Sequence, residues 1–218
     1  MWYLTHPLAS VADVLHQFEL GWRGSGPHGP YCAAPTPEHS AAARDLRYQL
    51  LRLYCDRASG LEQLLDPTSH TADPLDWRVS WLLARVLQAL GYQHLSDSAR
   101  ERLHRDTASQ AERAGLWPWA VFVLQHLAHH RAPAVRAVLE RNIADCDEET
   151  EQFLIGELGV PLEWLAAARA TLALARGNHR TRVENLMLAQ QWPQAHAVMM
   201  KDIAPDCIID HDFSYLQR

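Results

Sequence analysis

Lysine is almost missing from this chain of 218 residues: nineteen of the twenty basic side chains are arginine, and Lys201 stands alone. We read that bias as a genomic composition habit that marks no site. Valine and isoleucine are scarce as well, 16 together against 31 leucines and 31 alanines. The balance argues against a sheet, because Ala and Leu lose little on entering a helix and β-branched side chains lose more. The four cysteines, Cys32, Cys55, Cys146 and Cys207, form no CxxC pair, and scattered thiols suit a reducing compartment better than a disulfide framework. No apolar run reaches the roughly 18 residues that span a bilayer. The N-terminal MWYLTHPLASVADVLHQF lacks the basic start and long apolar centre of a signal peptide. A net charge of −6 gives no overall attraction to nucleic acid or anionic lipid. Absent too are a Gly-rich phosphate loop, a G-x-S-x-G elbow and a dinucleotide fingerprint.

What is present is helical grammar. Helices are expected near residues 10–22, 37–58, 60–66, 74–91, 96–114, 117–129, 132–144, 148–158, 161–176, 179–190 and 192–203, then a short tail. Asp73-Pro74 and Thr36-Pro37 each set a capping side chain before a proline at the first helical position. Ser98 and Glu101 have capping-box spacing, with a helix start possible two residues earlier. Gly91, Gly115, Gly159 and Gly177 fall where helices should stop. The Gly/Pro-rich RGSGPHGPYCAAPTP, 23–37, is expected to be a flexible loop within one helical domain covering 1–218.

Two internal echoes stand out. Pro74-Leu75-Asp76-Trp77 returns as Pro161-Leu162-Glu163-Trp164, and Trp117-Pro118 with Ala120 and Val123 returns as Trp192-Pro193 with Ala195 and Val198. Their offsets differ, so they suggest an irregular stack of antiparallel helix pairs rather than a regular repeat. From Trp119 to Leu124 no polar side chain appears, and helix 74–91 has only Arg78, Arg85 and Gln88 as a polar strip. Helices so apolar and too short for a bilayer are expected to be enclosed by other helices.

Candidate chemistry is thin. His126, His129 and His130 have i, i+3, i+4 spacing, but the H-E-x-x-H carboxylate is missing, and histidines near a helix C-terminus suit its dipole. Asp210-His211-Asp212, with Asp206 and His179 in the same region, offers too few spaced ligands for a metal phosphohydrolase. The acidic run Asp145–Glu149 has the ordinary charge of a first helical turn. In helix 96–114, Arg100, Arg102, Arg105 and Arg113 alternate with Asp97, Glu101, Asp106 and Glu112, which reads as a solvated mixed-charge face. Helix 37–58 carries two apolar stripes, Leu46, Leu50, Leu53 and Tyr54 on one side and Tyr48, Leu51, Cys55 and Ala58 on the other. The second stripe needs a cover, either this chain or a partner protein. No cofactor, catalytic group or metal site is expected.

The blocks LLRLYCDRASGLEQLLDP (50–67), TADPLDWRVSWLLARVLQALGYQHLS (71–96), AGLWPWAVFVLQHL (114–127), FLIGELGVPLEWLAAARA (153–170) and QQWPQAHAVMMKDIAPDCII (190–209) resemble the nucleoporin 96 family, in that family's order. The resemblance implies an all-α, irregular fold-back α-solenoid of the kind shared by nuclear-pore and vesicle-coat scaffolds, of which this chain would be a fragment. It implies a structural role in the Y-shaped outer-ring coat of the nuclear pore complex at the nuclear envelope, serving protein and mRNA transport. It also implies binding to the nucleoporin 107 family, and to a β-propeller partner only where the strand blade N-terminal to the solenoid is present. Direct nucleic-acid binding and membrane insertion are not implied. Joining the apolar stripe to that partner role, we expect Leu50, Leu53, Tyr54, Leu64 and Leu65 to contact the partner. Glutamate at both Leu53 and Tyr54 is then expected to abolish binding with the fold intact. A helical-pair adaptor of another, vesicle-coat-like complex fits the composition equally well.

Overall fold

The structure is a computed structural model that describes residues 10–13, 46–56, 60–71, 73–92 and 95–209. These residues are helical with short turns and no strand occurs among them, so the fold they make is all-α. The 23–37 segment and Thr36-Pro37 lie outside the described residues. The chain divides into two compact units, Met1–Thr107 and Ala108–Arg218.

The first unit holds α1 (Leu46–Cys55), the single turn α2 (Leu61–Leu64), a 3-10 turn at Pro67–Ser69, α3 (Arg78–Ala89) and the beginning of α4 (Asp97–Arg113). Its core is built on Leu53, Leu61, Leu64, Leu65, Trp81, Leu87 and Leu103, all buried. The expected start of α3 at Pro74 is corrected by four residues. Asp73 Oδ1 accepts from the Leu75 amide at 2.9 Å, which curls residues 73–75 into a turn. Asp76 then accepts from the Arg78 amide and pairs with the Arg78 guanidinium at 2.7 Å. At the start of α4 the capping hydroxyl is that of Ser96, which accepts from the Ala99 amide at 3.3 Å.

The second unit continues with α5 (Trp117–Leu124), α6 (Arg131–Asn142), α7 (Glu148–Gln152), α8 (Leu162–Ala175), α9 (His179–Leu188), α10 (Trp192–Val198) and α11 (Ala204–Ile209). Wider π-type turns at Phe153–Glu157 and Met199–Ile203 extend α7 and α10. Helix α8 is the hub, packing against α6 and α9, while α5 packs on α6 and α9 on α10. Ala170, Val183, Leu186, Ala195, Val198, Ile203 and Cys207 make one buried cluster from α8 to α11.

The four glycines do stop helices, each with positive φ. At Gly177, φ is 68°, its amide bonds to Leu174 O at 3.0 Å, and the Asn178 amide reaches back to Ala173 O at 2.9 Å. That pair of reversed bonds satisfies two carbonyls left open by the helix end. Gln190 makes the same arrangement with φ 57°, bonding to Met187 O while Gln191 bonds to Leu186 O, an energetically poorer choice than glycine. Both tryptophan-proline pairs open helices as expected, with Ala120, Val123, Ala195 and Val198 all buried. The other echo is not equivalent: Trp164 lies inside the first turn of α8, whereas Trp77 precedes α3.

Ion pairs clasp the second unit. The Arg141 guanidinium donates two bonds of 2.8 Å to Glu112, and Asn142 adds a third. Arg169 of α8 holds Glu151 of α7 through bonds of 3.0 and 2.6 Å. Glu112 therefore departs from the solvated face expected of α4, because its carboxylate is gripped by α6. The hydrogen bonds from Arg141 and from Arg169 hold the Glu112 and Glu151 carboxyls below the ordinary carboxylate range, against an opposing push from burial.

Two predictions follow from this packing. Trp81→Ala or Trp117→Ala removes a buried aromatic body and is expected to cost about 3–5 kcal/mol, measured by denaturant unfolding. For the glutamates, a lowered folded pKa means stability that is complete above the unfolded value of about 4.3 and declines as pH falls through the folded one. Glu112→Gln should lower stability at pH 7 by about 1 kcal/mol, and the difference from wild type should shrink in acid melts below about pH 4.

Candidate interaction surface

The polar groups inside the first unit form two tethers. In the first, Ser80 Oγ lies 3.3 Å from His70 Nε2, His70 Nδ1 lies 2.9 Å from Ser69 Oγ, and Ser69 Oγ donates to Leu64 O at 3.0 Å. One set of directions satisfies every group: the Ser80 hydroxyl donates to His70, and His70 donates to Ser69. A serine beside a histidine invites comparison with a nucleophile and its base. Here Ser80 is 0% exposed and a hydroxyl rather than a carboxylate stands behind His70, so the chain of bonds ties α3 to the 3-10 turn. In the second tether Trp81 Nε1 donates to His104 Nδ1 at 2.9 Å, joining α3 to α4 between two buried side chains. The sequence reading missed both tethers, since the partners lie 10 and 23 residues apart with no motif to mark them.

The candidate metal ligands disperse. Helix α5 ends at Leu124, five residues before its expected end, so the three histidines sit on the following turn without helical spacing. His126 Nδ1 lies 3.0 Å from Phe122 O, while His129 and His130 are exposed. Among the described residues no group of three His, Cys, Asp or Glu side chains is placed to hold a metal ion. Asp210, His211 and Asp212 lie outside those residues. Asp147 caps α7 by accepting from the Thr150 amide at 2.8 Å, and the Thr150 side chain and amide hold its carboxyl below the ordinary range.

What the molecule does present is apolar helix surface. On α1, Tyr54 is 68% exposed beside an exposed Leu51, and Leu50 is half-buried, while Leu53, Leu64 and Leu65 are in the core. The expectation that glutamate at Leu53 spares the fold is therefore corrected: at 3% exposure Leu53 would bury the new charge. Helix α3 is not enclosed as expected either. It buries Ser80, Trp81 and Leu87, yet Val79, Leu82 and Val86, with Leu90 at its C-terminal cap, are 40%, 60%, 55% and 65% exposed. Steps of three and four residues put these four on one face. In the second unit the indole of Trp119 is also exposed, leaning on Phe122 at 5.9 Å and Phe153 at 5.5 Å between ring centres. Among the described residues no helix is long and apolar enough to cross a membrane.

Buried polar tethers and exposed apolar helix faces mark the described residues as those of an all-helical protein. The family model described as Nuclear protein 96 matches residues 1–172. The chain is 39% identical to the Nuclear pore complex protein Nup98-Nup96 of Drosophila melanogaster over 99% of its own length and 12% of that protein's. It is 30% identical to the Caenorhabditis elegans protein of the same name, over 77% of this chain and 10% of that one. Nucleoporin nup189 of Schizosaccharomyces pombe is also 30% identical, over 80% of this chain and 11% of that protein. The chain belongs to the nuclear protein 96 family, and it spans about a tenth of the length of these curated relatives.

Neighbouring positions on α1 should behave oppositely. Leu53→Glu is expected to cost about 3 kcal/mol or more through a buried charge. Tyr54→Glu should stay within about 0.5 kcal/mol of wild type. Thermal melts of the two variants side by side check the assignment.

Proposed function

We propose that this chain is a structural component of the nuclear pore complex at the nuclear envelope, acting by packing against other nucleoporins and not as an enzyme. The observation that carries this reading is the family match, which covers nearly the whole chain in a relative named as a nuclear pore complex protein. The open faces of α1 and α3 support it, since a scaffold works through surface left apolar in the isolated chain.

More finely, the chain acts as one fold-back α-solenoid fragment of the Y-shaped outer-ring coat, and its partner is a member of the nucleoporin 107 family. Tyr54 and Leu50 touch that partner from α1. Leu53, Leu64 and Leu65 complete the same site from beneath, holding α1 and α2 in place. A β-propeller partner joins only where the strand blade of the longer protein is present. No cofactor takes part.

The test is binding of the purified chain to the nucleoporin 107 homologue of the same organism, read by calorimetry. Wild type should bind, and Tyr54→Glu should weaken binding at least tenfold, about 1.4 kcal/mol, with an unchanged melt. Absence of binding by a folded wild type overturns the choice of partner, and unchanged binding by Tyr54→Glu overturns the choice of site.

A further inference from the structure

We draw no further inference here: the strongest candidate, the apolar stripe of Val79, Leu82, Val86 and Leu90 on α3, belongs to the surface already described, and nothing in the structure shows what covers it.

Discussion

Burial of alanine along the helix faces is the constraint on which the second unit depends. The buried face of α8 consists of Leu165, Ala166, Ala168, Ala170 and Ala173, and α5 and α10 each place an alanine, Ala120 and Ala195, at a buried position. Alanine costs no side-chain entropy on burial and lets a neighbouring helix come near, where dispersion contacts are dense. It also removes little apolar area per residue, at about 25 cal/mol per Å². Much of the stabilisation therefore falls to a few large side chains, among them Trp117, Leu139, Leu154 and Leu165. Enlarging a buried alanine would overpack the helix face on which it lies.

Short connections follow from the way the helices end. The reversed hydrogen bonds at Gly177 and Gln190 finish α8 and α9 and release the chain directly into the next helix. In this unit the helices pack chiefly on near neighbours in the sequence, so each can be covered on one side and open on another. The open sides carry Trp119, Leu162, Leu174, Leu188 and Trp192. The second unit thus leaves apolar side chains exposed, while several of its polar groups cap helices or join them.

Most of the helical order was legible in the sequence, because the Leu/Ala balance, the tryptophan-proline starts and the glycine stops are local signals. Local competition also explains the misplaced ends. Asp73 forms its own turn and delays α3, and His126, close to the Phe122 carbonyl, marks where α5 is already over. The surface was less legible. Leu53 and Tyr54 are adjacent and both apolar, yet one is core and the other faces outward, a difference set by what packs around α1. The enclosure expected of α3 failed for the same reason, since apolarity says that a face needs a cover but not that this chain supplies it.

Amide hydrogen exchange on the chain alone and with the proposed partner, the nucleoporin 107 homologue of the same organism, is the most direct test. The account predicts slower exchange on binding around Leu50–Cys55, with the interior amides of α8 unchanged. Equal exchange there in a saturated complex, or protection confined to the second unit, would contradict it.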